Sequence, residues 1–226
     1  VLTAMISPFT TDDELDVEGA KTLAKWLVEQ GNEGLVIAGT TGESPTLTHE
    51  EQINLIAAVV EAVDVPVIAG AGSNDTKTAV ELTERCTEVG ASGILTVTPY
   101  YNRPSQQGLL EHFSAIAKST NLPVMLYDIP ARSGRKIDTS TILQLADEVE
   151  NIVALKDAAG DVPETARLIA AAPEGFEVYS GEDSLTLSLL SVGAVGTVSV
   201  ASHWSTPETS EMIKSFFAGD FLRAAE

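Results

Sequence analysis

Strand-like and helix-like runs alternate eight times along the chain, and this rhythm predicts an α/β fold of the (β/α)8 TIM barrel class. The strand-like runs are short and apolar on both faces, as a parallel sheet covered by helices requires. No Pro/Ser-rich linker, composition shift or low-complexity tract breaks the rhythm, so residues 1–226 are expected to form one barrel. A doubly wound open sheet is the alternative, and it usually carries fewer strands.

The elements follow in order from local signals. The first strand is Leu2 to Ile6, and its helix runs from Val17 to Glu29 with Asp16 as N-cap. The second strand is Gly34 to Ala38, and its helix opens at Thr48 with Glu51 three residues on, a capping box. The third strand, Val65 to Ala69, leads to a helix from Thr76 to Glu88. The fourth, Gly93 to Val97, leads to Gln106 to Lys118, and the fifth, Pro123 to Leu126, to Ser140 to Glu148. The sixth, Ile152 to Leu155, ends in the single lysine Lys156; Asp161 and Glu164 form a capping-box pair there, with the helix from Pro163 to Ala171. Phe176 to Tyr179 is the seventh strand, before a helix from Ser184 to Leu190. Val195 to Val200 is the eighth, and Thr206 and Pro207 open the last helix as N-cap and N1. The chain starts in a strand without Met and stops at residues 223–226 inside a helix-forming run. More C-terminal chain is therefore expected, with the last residues starting a C-terminal helical extension.

Composition narrows the function classes. Apolar residues are 44% and charged residues 20%, which suits a packed core. No apolar run is long enough to span a membrane. The formal net charge is −20, from 33 acids against 13 bases, so nucleic acid and anionic membrane surfaces are excluded as partners. An anionic substrate would need a local island of positive charge. Cys86, the only cysteine, falls on a helix as a buried inert thiol. With no leader and no disulfide pair, a cytoplasmic location is expected. His49, His112 and His203 are not at ligand spacing, so no metal is expected.

In a barrel of this class the chemistry sits at the carboxyl ends of the strands. A lysine brought out of water there loses pKa, and its neutral amine attacks carbonyls to form a Schiff base. Taken alone, a strand-end lysine more often snorkels to solvent. After the second strand, Gly39-Thr40-Thr41-Gly42 offers hydroxyls and backbone N–H groups in a tight turn suited to a carboxylate or phosphate. Tyr100, Tyr101 and Tyr127 end the fourth and fifth strands and could carry protons, or could simply pack with a polar tip at the rim. Arg132, five residues beyond Tyr127, can grip a carboxylate with two parallel bonds, or form a surface ion pair. Asp128, Asp157 and Glu182 are the acids that a carboxylate-dependent glycoside hydrolase would need.

Four motifs in combination, GTTGES at 39–44, TPYYNRPSQQGL at 98–109, YDIPARSG at 127–134 and ALKDAAGD at 154–161, resemble the dihydrodipicolinate synthase family of Schiff-base class I aldolases, over essentially the whole chain. The resemblance implies a lyase that condenses pyruvate with L-aspartate 4-semialdehyde to 4-hydroxy-tetrahydrodipicolinate, on the route to diaminopimelate and lysine. It implies that Lys156 carries the pyruvate imine, that Tyr127 relays protons, that Thr40 bridges Tyr127 to Tyr101, and that Tyr101 acts in a neighbouring subunit's site. Thr41 would hold the pyruvate carboxylate and Arg132 that of the semialdehyde. Gly181 and Val198 would line the pocket through backbone groups. No cofactor beyond the covalent imine is implied, and a homotetramer built as a dimer of dimers is.

Ser44, His49, Asn74 and Tyr100 match a candidate allosteric lysine site of that family, whereas Gln52 and Thr78 replace the usual His and Glu. Weak or absent inhibition by lysine is expected, because an acid that would pair with the ammonium is missing. The nearest alternative is a pyruvate-dependent sugar-acid lyase, an N-acetylneuraminate or keto-deoxy-sugar-acid aldolase, sharing Lys156 and Tyr127. Arg132 with Thr40 and Thr41 favours the synthase, whose second substrate carries its own carboxylate. The glycoside hydrolase, and a non-catalytic scaffold, are more distant readings.

Overall fold

A computed structural model describes residues 1–226 and shows a closed barrel of eight parallel strands in chain order, with β1 returning to pair with β8. The strands are β1 (Leu2–Ala4), β2 (Gly34–Ile37), β3 (Val67–Gly70), β4 (Gly93–Val97), β5 (Val124–Asp128), β6 (Ile152–Asp157), β7 (Glu177–Ser180) and β8 (Gly196–Ser199). The helices are α1 (Val17–Glu29), α2 (His49–Ala62), α3 (Thr76–Glu88), α4 (Gln106–Lys118), α5 (Pro130–Ser133), α6 (Thr139–Glu148), α7 (Val162–Ala171), α8 (Thr186–Leu190), α9 (Ser202–Phe217) and α10 (Phe221–Ala225). No helix is long and apolar enough to cross a membrane.

Period-two alternation sorts the side chains into two cores. Ala4, Val36, Leu95, Met125, Tyr127, Ala154 and Val198 point into the barrel. A second layer of 32 buried residues, among them Leu35, Ile37, Ile94, Leu126 and Leu155, packs between sheet and helices. Lys156 stands two residues after Ala154, so the same alternation aims its amine into the barrel, while Leu155 and Asp157 face outward. Cys86 is buried in the outer layer, and burial pushes its thiol up to about 12.

The caps read from the sequence mostly form. The Asp16 side chain accepts from the Gly19 N–H, and Thr48 and Glu51 close a full capping box. At α7 the expected reciprocal box is half present. Asp161 accepts from the Glu164 N–H, but the Glu164 carboxylate turns instead to Thr139 (2.5 Å) and Arg167 (2.5 Å), which offer it charge-assisted bonds. The last helix also differs. It begins at Ser202 and kinks at Ser205, just before Pro207, where a proline interrupts the ladder. Thr206 does not cap it: its hydroxyl donates back to the Ser202 carbonyl and accepts from Asn32.

Strand limits shift toward the carboxyl end in four places, one of them β7, found at Glu177–Ser180 rather than Phe176 to Tyr179. β3 starts at Val67 rather than Val65, because Pro66 supplies no N–H to the ladder. β5 extends through Asp128 and β6 through Asp157, so Tyr127 and Lys156 are ladder residues in register with one another rather than loop residues. A helical turn absent from the sequence reading, α5, follows β5, with Pro130 at its first position and Gly134 (φ 72°) closing it.

Candidate active site

The β6 ladder holds Lys156 with only 4% of its surface exposed, and its Nζ lies 4.2 Å from the centre of the Tyr127 ring on β5. Burial lowers the amine from 10.5 to about 8, with the Asp183 carboxylate opposing the fall. Burial raises the Tyr127 phenol, while the Thr40 hydroxyl and Arg132 charge beside it pull the other way. An amine that sheds its proton near neutrality therefore sits against a phenol that keeps its own.

Gly181, at the end of β7, makes room for this lysine. A methyl group there would fall 2.9 Å from Lys156 Cγ and 3.0 Å from Cε, closer than packed carbons approach. Its N–H is already donated to the Asp157 carbonyl at 2.7 Å, so only its carbonyl is left to line a pocket. Val198 lies on β8 in the inner core that also holds Tyr127.

The turn after β2 is bracketed by left-handed backbone at Ala38 (φ 57°) and Glu43 (φ 53°). The Ser7 hydroxyl pins it by donating to the Gly42 carbonyl at 2.6 Å. The backbone N–H groups of Thr40 and Thr41 find no acceptor in the chain. Consecutive free N–H groups in such a turn form a concave anion site. Left-handed backbone recurs after β4, at Tyr101 (φ 72°) and Arg103 (φ 49°). Strain of this kind in non-glycine residues clusters at functional loops. Tyr101 is 89% exposed, so its ring leaves its own barrel and makes no hydrogen bond with Thr40. Arg132, on α5, is exposed and meets no carboxylate.

Three acids weighed for carboxylate chemistry do not converge. Asp128 and Asp157 face out of the barrel. The Asp128 carboxylate accepts from the Ile137 N–H at 3.1 Å and meets Lys136 at 3.4 Å. Asp157 is bound to Thr165 and the Ala159 N–H. Only Glu182, exposed, remains at the rim.

The candidate lysine-site residues fall into two bonded groups. Gln52 is buried on α2 and spends its amide on the Ser44 carbonyl at 2.7 Å, close to His49 at the helix start. Asn74 donates to the Tyr100 carbonyl at 3.1 Å, and Asn102 donates to Asn74. Thr78 is turned to the Asp75 cap at 2.6 Å. No hydrogen bond joins the two groups.

Two features escape the sequence. Asp183 accepts from the Val200 and Ala201 N–H groups at 3.1 and 3.0 Å, tying the end of β8 to the loop after β7. Arg132 owes its placement to α5, which the Pro130–Gly134 spacing could have signalled.

A closed (β/α)8 barrel with a desolvated amine over a phenol at the carboxyl ends of its strands defines a class of barrel with an interior nucleophile. The chain belongs to the dihydrodipicolinate synthetase family, whose model matches residues 1–226. It is 51% identical to the 4-hydroxy-tetrahydrodipicolinate synthase of Moorella thermoacetica, across the whole of this chain and 77% of that protein. Its fold superposes on a dihydrodipicolinate synthase of Bacillus anthracis with a TM-score of 0.97 at 50% identity, covering 99% of this chain and 77% of that one. A dihydrodipicolinate synthase of Acinetobacter baumannii, solved in complex with pyruvate, gives 0.95 at 39% identity, with 99% and 77% covered.

Proposed function

We propose that the chain is a lyase that condenses pyruvate with L-aspartate 4-semialdehyde, giving 4-hydroxy-tetrahydrodipicolinate for diaminopimelate and lysine synthesis. The observation that carries this reading is the Lys156 amine, buried and lowered to about 8, held 4.2 Å over the Tyr127 ring. The neutral amine attacks the ketone carbon of pyruvate, and loss of water leaves an imine. Removal of a methyl proton turns the imine into an enamine, whose carbon attacks the aldehyde. The alkoxide so formed takes up a proton, and the semialdehyde's own amino group then adds to the regenerated imine carbon, closing the ring and releasing the Lys156 amine. Tyr127, protonated at neutral pH, donates and retrieves protons in these steps. The free N–H groups of Thr40 and Thr41 receive the pyruvate carboxylate. Arg132, with no internal partner, receives the carboxylate of the semialdehyde through its planar fork. No metal or organic cofactor is needed, since the protonated imine formed on Lys156 is itself the electron sink.

The exposed ring of Tyr101, on left-handed backbone, supports an assembly in which it completes a neighbouring subunit's relay through Thr40. A homotetramer arranged as a dimer of dimers provides such a neighbour, and a cytoplasmic location suits the pathway. Ser44, His49, Asn74 and Tyr100 form the candidate lysine site, with the Gln52 amide spent on the Ser44 carbonyl.

Borohydride reduction in the presence of pyruvate, followed by peptide mass spectrometry, tests the reading. A reduced pyruvyl adduct on the Lys156 peptide is expected, along with loss of turnover in Lys156→Ala. An active Lys156→Ala variant, or folded protein that forms no adduct, would refute it. Arg132→Ala is expected to raise KM for the semialdehyde at least tenfold while pyruvate trapping proceeds at the wild-type rate, which steady-state kinetics in each substrate would resolve.

A further inference from the structure

We propose that Asp157 and Thr165 act as a positioning pair that fixes the reach of the Lys156 amine from outside the barrel wall, an inference that rests on the Schiff-base reading above. Asp157 directly follows Lys156, is 6% exposed and faces α7. Its carboxylate is held at both oxygens: Thr165 Oγ1 donates to one at 2.5 Å and the Ala159 N–H to the other at 2.9 Å. Its carbonyl accepts the Gly181 N–H at 2.7 Å. The next peptide is also tied, with the Ala158 N–H donating to the Asp128 carbonyl at 2.9 Å.

Neighbouring side chains on a strand point in opposite directions. A rotation of the backbone that swings Asp157 outside therefore swings Lys156 inside. Bolting the carboxylate to α7 removes that freedom. The bond to Gly181 acts on the same lysine from its other side, because Gly181 is the wall against which the Lys156 stem lies. An outward position between a strand and a helix is filled more cheaply by an apolar residue than by a buried carboxylate. The acid is therefore set against a cost that filling space does not explain, whereas a nucleophile that must meet a carbonyl carbon within about 3–3.5 Å loses about a hundredfold in rate for a 1 Å misplacement.

Thr165→Val keeps the side-chain volume and removes the hydroxyl; Asp157→Asn keeps the shape and removes the charge. Each is compared with wild type for thermal unfolding, the rate of borohydride trapping with pyruvate, and KM and kcat for both substrates. Trapping and kcat are expected to fall about tenfold or more in both variants, with KM for the semialdehyde unchanged and with Thr165→Ser restoring the wild-type rate. Wild-type trapping in folded Thr165→Val would overturn the assignment. So would a failure of both variants to fold, since that marks a merely structural strut. Absence of trapping in the wild-type protein would instead strike the Schiff-base reading itself.

Discussion

Burial holds the Lys156 amine at about 8 against 10.5 in water, so between these values the unfolded chain binds more protons than the folded one. Stability contributed at this site therefore rises with pH across the window, and the cost is fullest below about 8. At pH 7 that cost is on the order of 3 kcal/mol. Lys156→Met should abolish imine formation and yet unfold at higher denaturant, by up to about 3 kcal/mol; an unfolding midpoint at or below wild type would contradict the burial argument. The same shift sets the kinetics. Only the neutral amine attacks, so the rate of imine formation should climb as pH rises toward 8 and level above it. Asp183→Asn removes the one carboxylate opposing the shift and should move that midpoint to lower pH; a midpoint that stays or rises would show that Asp183 does not act on the amine. The lone lysine after an apolar run was legible in the sequence. Its depth was not, because depth depends on Tyr127 and Gly181, which stand 29 residues before and 25 after it in the chain.

The ends of β5, β6 and β7 meet at this lysine, and Gly181, just after β7, leaves room for its stem. Gly181→Ala would press a methyl against the Lys156 stem and the Ala158 side chain. A loss of about 1–3 kcal/mol in stability is expected, with slower pyruvate trapping; thermal unfolding and trapping rates unchanged from wild type would show that the stem yields freely. Helices with internal periodicity and a local cap, such as α1 and α3, were legible to the residue, since their signals lie within one turn of their ends. Strand ends were legible at β4, Gly93–Val97, but not at β5 and β6. β5 and β6 continue past their apolar runs because neighbouring strands complete the ladder there, and the extensions carry Tyr127 and Lys156, the proposed reacting pair. Likewise, the replacements at Gln52 and Thr78 were visible, but not that both side chains are engaged with Ser44 and Asp75. With Thr78 where the family's usual acid would stand, and Asp75 turned to capping α3, millimolar lysine should inhibit turnover little; a steep inhibition curve would refute that argument.

Charge is distributed unevenly over the molecule. Five of the 13 basic residues, Arg103, Arg132, Arg135, Lys136 and Lys156, lie at the carboxyl ends of β4 to β6, where the anionic substrates are proposed to enter. The rest of the surface is strongly acidic, and only eight of the 33 acidic side chains reach a cation. Unpaired like charges on a compact body repel one another and disperse when it unfolds, so the net −20 works against the folded state. Screening weakens that repulsion, since the Debye length falls from about 10 Å at 0.1 M salt to about 3 Å at 1 M. The melting temperature should therefore rise between 0.1 and 1 M KCl, by about 2–4 °C for each 1 kcal/mol gained in a chain of this size. Potassium chloride is the informative salt, because sulfate strengthens apolar burial in any protein. The same salt should weaken capture of the two carboxylate substrates at the basic loops, raising KM while stability improves. Opposite movements of melting temperature and substrate affinity are what segregated charge demands; a melting temperature that stays flat or falls in KCl would show that the acidic surface carries no folding cost.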